Sequence, residues 1–177
     1  MKTIENYQTI TTERLLLRNV LLTDAPQMYH WLSDETTVKW LSGQLSHSIK
    51  DVENLAIKGY FWQDVVGTKK YGIALRNTNE LIGSVDFRQK EDNQTAEIGY
   101  VLTPAQRGQG FMHEAICELL TIGFDELGLN LIWLSHDIDN IQSRHVAERL
   151  GFKQRETTDN QGHLIWSMTH ELYNNQK

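Results

Sequence analysis

One segment constrains the fold of this chain more than any other: two closely spaced glycines stand between a strand pattern and the clearest helix pattern. Thr95–Leu102 has the length and residue types of a strand, and Gly108 and Gly110 follow it. Apolar residues then recur at the 3.6-residue period of a helix, at Met112, Ala115, Ile116, Leu119, Leu120, Phe124 and Leu127. Gly128 supplies a stop. The sequence therefore predicts a strand, a tight elbow and a long helix.

The other segments extend this unit on both sides. Strands are predicted over Arg14–Val20, Tyr71–Leu75, Leu81–Arg88, Leu131–His136, Lys153–Glu156 and Leu164–Thr169. Helices are predicted after Thr23 as N-cap, over Ser48–Trp62, and from Asp139 or Asn140 to Leu150. Polar turns at 77–80 and 90–93 predict a β-meander. We expect a mixed α/β (α+β) fold, with an antiparallel half and a right-handed crossover between two parallel strands.

Composition limits the classes of protein. The 177 residues, 40% of them hydrophobic, are enough for one core, so residues 1–177 are expected to form a single domain. The longest apolar runs are far too short to cross a membrane, and the first residues lack a secretory signal. The lone Cys117 suits a reducing compartment, so a cytoplasmic location is expected. The net charge of −6 opposes nucleic-acid binding.

The glycine elbow has a chemical consequence. The first N–H groups of a helix lack internal partners and carry partial positive charge, and they commonly bind phosphate. The elbow is not a P-loop, because no Lys-Ser/Thr pair follows Gly110. It is not a dinucleotide fingerprint, because His113 occupies the third glycine position. In the strand before it, Gly99 indicates a bulge or a close approach by another backbone or a ligand, or else is simply tolerated.

At this point the residues resemble a known family. The segments that carry the likeness are Ala96–Leu102, Arg107–Phe111 with Glu114-Ala115, Asn140-x-x-Ser143, Arg149–Phe152 and the opening Thr12–Arg18. Together they resemble the GNAT N-acetyltransferase superfamily, in particular the RimJ/RimL-like branch that acetylates ribosomal proteins. The resemblance implies a twisted mixed sheet of six to seven strands, with a splay between two central parallel strands and about four flanking helices.

The same resemblance implies acetyl-CoA as co-substrate; no metal is expected, because the histidines lack a metal-binding spacing. Its diphosphate would bind the backbone N–H groups of Arg107, Gly108, Gln109, Gly110, Phe111 and Met112. Its pantetheine would run beside Tyr100, Val101 and Leu102, with Asn140 and Ser143 touching it. The chain departs from the family at Ala105, where glutamine or arginine is usual, so one side-chain contact to the diphosphate is expected to be missing.

Acetyl transfer to an amine needs a neutral amine, a stabilised oxyanion and a proton for the thiolate. Glu97 is the candidate base, acting through a water; its alternative role is a solvated carboxylate or an ion-pair partner. The oxyanion donor would be a strand N–H near Val101 or Leu102. The resemblance assigns Ser143 as the hydrogen-bond donor to the departing thiolate, because this chain has Ala147 where many relatives have a tyrosine acid. The alternative role for Ser143 is an ordinary capping hydroxyl.

The acceptor is the least determined feature. The resemblance favours a protein N-terminal amine, such as that of a ribosomal protein, and leaves open polyamines, aminoglycosides and metabolite amines. A catalytically silent CoA-binding module and a nucleotide-binding protein are the alternatives from other classes. A homodimer through the last strands is compatible with the branch. The seven histidines show no metal-binding spacing, and Cys117 shows no neighbouring base. Trp31, Trp40 and Trp62 are expected in the core more than in an acceptor groove.

Overall fold

One eight-stranded sheet organises the chain, whose computed structural model describes residues 2–90, 92 and 94–177. Its strands are β1 Ile10–Thr11, β2 Leu15–Arg18, β3 Thr68–Leu75, β4 Leu81–Gln89, β5 Thr95–Leu102, β6 Leu131–His136, β7 Lys153–Thr158 and β8 Leu164–Thr169. Their order is β1-β2-β3-β4-β5-β6-β8-β7. The mixed α+β fold is confirmed. The count exceeds the expected six to seven because β1 has two residues, too few to give a sequence pattern.

Six helices flank this sheet in the described residues. They are α1 Ala25–Leu32, α2 Glu35–Val38, α3 over Ile49–Asp51 continued with wider π-type turns over Val52–Phe61, α4 Phe111–Thr121 continued likewise over Ile122–Glu126, α5 Ile141–Arg149 and α6 His170–Asn174. About four were expected, because α2 and α6 span only four and five residues. Of the predicted turn at 90–93, Glu91 and Asn93 lie outside the described residues.

Side-chain hydrogen bonds cap the first turns of α3 and α5. Ser48 caps α3, since its side chain accepts the N–H of Asp51, and Asn140 caps α5 by accepting the N–H of Ser143 at 3.1 Å. The prediction of Thr23 as a cap is wrong: Thr23 lies inside a 3₁₀ turn, Leu22–Asp24. The carboxylate of Asp24 binds Arg18 through two hydrogen bonds instead, and that ion pair fixes the entry to α1.

The two faces of the sheet bury separate sets of side chains. One face packs against α4 and α5, with Phe87, Ile98, Ile116 and Ala147 among its buried members. The other packs against α1 and α3, with Met28, Trp31 and Ile57. Because strand side chains alternate between faces, β5 contributes Ala96 and Ile98 to the first set and directs Glu97 and Gly99 to the second face.

The parallel pair β5–β6 separates part-way along its length. Pairing covers only Thr95 with Leu131, Ala96 with Ile132 and Glu97 with Trp133, although β5 continues to Leu102 and β6 to His136. A gap therefore opens between the two central strands beyond Glu97, as the resemblance implied. The predicted bulge at Gly99 is wrong: β4 and β5 pair in unbroken register, with Asp86 opposite Gly99. None of the described helices combines the length and apolarity needed to cross a bilayer.

Candidate active site

The elbow before α4 presents a row of main-chain donors. Gly108 and Gly110 adopt φ of 75° and 80°, a conformation that favours glycine, and Gly110 is the N-cap of α4. The first helical hydrogen bond runs from the Glu114 N–H to the Gly110 carbonyl at 3.0 Å. Within the described residues, no N–H from Gly108 to His113 donates a hydrogen bond. These six N–H groups, here called the cradle, are free to bind an anion at the positive end of a helix dipole.

The cradle is displaced by one residue from the predicted set. The Arg107 N–H donates to the Pro104 carbonyl at 3.3 Å and is not available. Instead, the Arg107 side chain closes the end of β5: Nε donates to the Leu102 carbonyl at 3.1 Å, and Nη2 to the Thr37 hydroxyl at 2.7 Å. Burial lowers the pKa of Arg107, though it stays cationic. Arg107 thus ties the elbow to α2.

An ion pair between distant segments holds the first turn of α4. The Glu114 carboxylate accepts the Arg14 side chain at 2.6 Å, the Arg14 N–H at 2.8 Å and the Thr12 hydroxyl at 2.6 Å. Burial acts to raise the pKa of Glu114, and these donors outweigh it and lower that pKa. Arg14 also donates to the Gln109 carbonyl at 3.0 Å and lies 4.5 Å from the centre of the Phe111 ring. Sequence reasoning missed Arg14, which places a cation beside the cradle although Ala105 offers none.

The main chain of β5 faces the gap at alternate residues. Hydrogen bonds from Lys90 to Thr95 and from Thr103 to Ile82 lie at the two ends of the β4–β5 pairing. Because bonded pairs in an antiparallel ladder recur every second residue, the odd-numbered residues of β5 bond to β4. The N–H and C=O groups of Ile98, Tyr100 and Leu102 therefore point into the gap. Of the two predicted oxyanion donors, the N–H of Leu102 faces the gap and that of Val101 faces β4.

A side-chain hydrogen bond joins β5 to α5 across this gap. The Tyr100 and Ser143 hydroxyls lie 2.7 Å apart, and the Tyr100 hydroxyl is also 3.3 Å from the Ser143 carbonyl. Burial raises the pKa of Tyr100 to about 12, against a smaller opposite effect of the Ser143 hydrogen bond, so the phenol stays neutral. Ser143 is itself buried. Its hydroxyl is therefore not a helix cap, since Asn140 fills that role.

A cleft connects the elbow with the start of α5. Its volume is about 250 Å³, and its lining includes Lys39, Trp40, Arg107 and Asn140. A larger cleft of about 340 Å³ lies between α1 and Thr103–Gln106 and contains none of the predicted site residues. We regard the smaller cleft as part of the site, because it touches both the elbow and the Asn140 cap.

Glu97 lies in an ion-pair network on the α3 side of the sheet. Its carboxylate accepts Arg88 at 2.9 Å through one oxygen and Lys90 at 2.7 Å through the other. The Lys90 ammonium also lies 5.1 Å from the centre of the Trp133 ring. A Cβ on Gly99 would collide with the Arg88 guanidinium, so the glycine makes room for that side chain. The ion-pair role left open for Glu97 is thus present in the structure.

A second carboxylate in this network was not foreseen. Asp86 is only 7% exposed and accepts a short hydrogen bond from the Tyr60 hydroxyl of α3. Arg88 Nη2 lies 3.4 Å from the same Asp86 oxygen, Oδ2. Burial raises the pKa of Asp86, while Tyr60, Arg88 and Lys70 act to lower it. The available signal was a lone carboxylate inside the apolar strand Leu81–Phe87.

The remaining candidates have structural positions. Trp31 is a core residue, 1% exposed, whereas Trp62 is 48% exposed and donates to the Val20 carbonyl. Cys117 does have a neighbouring base, since His113 Nδ1 lies 3.5 Å from its Sγ. Burial raises the pKa of this thiol, which favours the unreactive protonated form. Among the described residues, no three His, Cys, Asp or Glu side chains are grouped to hold a metal ion.

Comparison with known proteins agrees with this geometry. The family described as acetyltransferase (GNAT) domain matches residues 14–153. The chain belongs to the GNAT acetyltransferase family. It is 30% identical over 155 residues, 83% of each chain, to the uncharacterized N-acetyltransferase p20 of Bacillus licheniformis. It is 39% identical over 75 residues, 42% of each chain, to the ribosomal-protein-serine acetyltransferase of Escherichia coli strain K12.

Solved structures show the same fold. The structure of AAC(6')-Ib in complex with ribostamycin and coenzyme A has a TM-score of 0.74 at 18% identity, covering 93% of this chain and 98% of the other. This GNAT chain is an acyltransferase of the N-acetyltransferase class. The likeness to the RimJ/RimL-like branch rests on the shorter match to the Escherichia coli protein.

Proposed function

We propose that this GNAT protein transfers the acetyl group of acetyl-CoA to a single primary amine on a peptide or protein N-terminus by direct attack. The observation that carries the proposal is the combination of the cradle, Gly108 to His113, with a strand gap that opens directly beside it. A helix N-terminus with unpaired N–H groups binds phosphate, and a splayed strand edge offers main-chain groups to an amide-containing arm. That residues 1–177 form one domain, and that it acts in the cytoplasm, remain predictions.

The residues present suit coenzyme A. The cradle supplies donors for a diphosphate, and Arg14 and Arg107 place cationic side chains on either side of the elbow. The main-chain groups of Ile98, Tyr100 and Leu102 are oriented to bind the amides of pantetheine, and the Asn140 cap borders the same path. Coenzyme A, when bound, supplies the activated acetyl thioester. The chain's own residues hold this arm and exclude water from the gap.

The charges beside the gap argue for an acceptor with one amine. We define the polar face as the sheet surface carrying Asp86, Arg88, Glu97 and Gly99, with Lys70 and Lys90 at its border. It holds three cationic side chains against two carboxylates. A polyamine or an aminoglycoside carries several positive charges and would meet net repulsion there. An N-terminal amine with a pKa near 8 carries one charge and is partly neutral at pH 7.

Exposed apolar side chains border the same face. Tyr60, Trp62 and Val65 of α3 and the segment after it are 41%, 48% and 51% exposed, and Val66 is 93% exposed. Apolar side chains around a polar site suit the first residues of a peptide. The short match to a ribosomal-protein-serine acetyltransferase supports this acceptor class, while the fold likeness to a protein solved with ribostamycin keeps a small amine as the second candidate.

The sequence predicts two residues for the proton transfers. Ser143, held by Tyr100, is assigned as hydrogen-bond donor to the departing thiolate. Glu97 is the base predicted from sequence; with both oxygens bound by cations, it must release Arg88 or Lys90 to accept a proton. Glu97→Gln tests this role: if Glu97 is the base, the rising limb of the activity profile moves to higher pH, and an unchanged limb removes Glu97 from the reaction.

The experiment is acetyl-CoA turnover, followed by release of free thiol, across a panel of amines. The panel contains short peptides that begin with Ser or Ala, the same peptides with blocked N-termini, spermidine and ribostamycin. We expect turnover with the free peptides, none with the blocked peptides, and a lower kcat/KM for both polycations. Gly110→Trp fills the elbow and should abolish coenzyme binding.

Other outcomes decide between the alternatives. Coenzyme binding without turnover on any amine would make the protein a silent CoA-binding module. Preference for spermidine or ribostamycin would move the acceptor to the small-amine class. Tight ATP binding that CoA does not compete for would overturn the coenzyme assignment altogether. A homodimer through β7, an edge strand whose residues are all exposed, stays a prediction that sedimentation would test.

A further inference from the structure

The geometry points to Asp86 as the group that accepts the proton of the attacking amine, with Tyr60 holding its carboxylate in place. This inference rests on the proposed acetyl transfer and assigns the base within that site. It concerns two residues that lie 26 positions apart in the sequence and meet through a hydroxyl–carboxylate hydrogen bond.

One oxygen of Asp86 is open for this purpose. Oδ2 accepts from Tyr60 and lies 3.4 Å from Arg88 Nη2. Oδ1 accepts no hydrogen bond from the described residues. A carboxylate with one fixed oxygen and one unpaired oxygen has a vacant acceptor site for an N–H group.

The position of Asp86 matches the place where the gap opens. Asp86 pairs with Gly99 across β4 and β5, two residues beyond Glu97, the last residue of β5 that pairs with β6. Asp86 Oδ2 lies 3.9 Å from the point where a Cβ on Gly99 would sit. Because Gly99 has no side chain, the Arg88 guanidinium occupies the space above it, beside the Asp86 carboxylate. An amine that reaches the gap from this face would pass beside Arg88 and meet Asp86 at Oδ1, the oxygen to which Arg88 does not donate.

The groups around Asp86 also distinguish it from Glu97. Tyr60 from α3, Lys70 from β3, Arg88 from β4 and Glu97 from β5 all face it. Burial, the largest effect on this carboxyl, favours its protonated form, and the pKa of Asp86 is raised. Glu97 is bound by two cations, and its proton uptake would break an ion pair. Of the two carboxylates, only Asp86 has an oxygen without a hydrogen-bond donor among the described residues.

The proton balance of the step is as follows. The ammonium N–H bond breaks, and its proton bonds to Asp86 Oδ1. The freed lone pair attacks the thioester carbonyl carbon, and the C–S bond breaks as the amide forms. As the intermediate collapses, the Ser143 hydroxyl gives its proton to the thiolate and takes up the second nitrogen proton, through water, in its place, so Ser143 ends the cycle neutral. Asp86 returns its proton to solvent before the next cycle.

The test compares kcat against pH for wild type, Asp86→Asn, Glu97→Gln, Tyr60→Phe and a control, Glu171→Gln, at an exposed position on α6, with the peptide found in the amine panel. Asp86→Asn should lower kcat about 100-fold or more, because a positioned base contributes about 10²–10⁴-fold, and should move the rising limb up to the pH at which the free amine loses its proton. Glu97→Gln should retain the limb. Tyr60→Phe should move the limb to higher pH, since the Tyr60 hydrogen bond lowers the pKa of Asp86. Glu171→Gln should behave as wild type.

Coenzyme binding and thermal unfolding of each variant separate this inference from the proposed function. A wild-type protein without turnover refutes the proposed function. Turnover in wild type with an unaltered limb in Asp86→Asn, or a raised KM at constant kcat, overturns the role of Asp86 alone. Should Asp86→Asn fail to fold, the Tyr60→Phe profile decides, and an unmoved limb overturns the inference.

Discussion

Two glycines, one before α4 and one after it, allow the role of the cradle in coenzyme binding to be separated from the effect of backbone strain on stability. Gly108 and Gly128 have φ of 75° and 69°, and a Cβ built on either would meet nothing within 4 Å. Alanine at either position therefore carries a similar left-handed strain of about 1–2 kcal/mol, without a steric clash. For a domain of this size, each substitution should lower Tm by about 2–8 °C.

Only Gly108 belongs to the cradle, and only Gly108→Ala should weaken coenzyme binding. A methyl group beside the cradle displaces the diphosphate from at least one N–H, and a hydrogen bond to a charged group contributes about 1.5–3 kcal/mol. The Kd for CoA should then rise about 10- to 100-fold, while Gly128→Ala leaves it within threefold. Calorimetric titration of both variants with CoA, beside their unfolding curves, is the assay. Equal Kd values at equal Tm losses would refute the cradle.

Three further variants test other parts of the account. Ser143→Ala should lower kcat about 10- to 100-fold with unchanged CoA affinity. Tyr100→Phe should lower kcat less, because the Ser143 hydroxyl remains. An unaltered kcat in Ser143→Ala would show that Ser143 takes no part in the chemistry. Glu114→Gln should lose about 1–2 kcal/mol of stability at pH 7. Folding lowers the pKa of Glu114, so the stability that this carboxylate contributes is complete above its unfolded pKa of about 4.3 and is lost as the pH falls through its folded pKa. The free energies of unfolding of wild type and Glu114→Gln should therefore converge in acid. A difference that stays constant with pH would contradict the ion pair.

The elbow and its surroundings could be predicted from sequence because the signals are local. Gly108 and Gly110 need left-handed backbone, the apolar period of α4 starts immediately after them, and Asn140 caps α5 within three residues of its partner. The resemblance then supplied what local pattern does not contain, the splay of β5 from β6. That expectation was confirmed by pairing that ends at Glu97 and Trp133.

Long-range contacts account for what the sequence did not show. Arg14 meets Glu114 across 100 positions, and Tyr60 meets Asp86 across 26, so neither pair leaves a local pattern. Gly99 illustrates the limit within one strand. Sequence reasoning left open a bulge, a close approach by another backbone or a ligand, and simple tolerance, whereas the structure keeps regular pairing and places the Arg88 side chain of the adjacent strand in the space. Main-chain groups of β5 lack hydrogen-bond partners because β6 separates from β5, and not because of a bulge. Thr23 is not the N-cap of α1, because it lies inside a 3₁₀ turn whose last residue, Asp24, forms an ion pair with Arg18.

The central claim is that the elbow holds the diphosphate of coenzyme A while its arm enters the gap between β5 and β6. A crystal structure of the protein with CoA tests it most directly. We expect phosphate oxygens about 2.7–3.2 Å from N–H groups between Gly108 and His113, and the sulfur next to Ser143. Coenzyme bound elsewhere, or β5 and β6 paired continuously as far as Leu102, would contradict it.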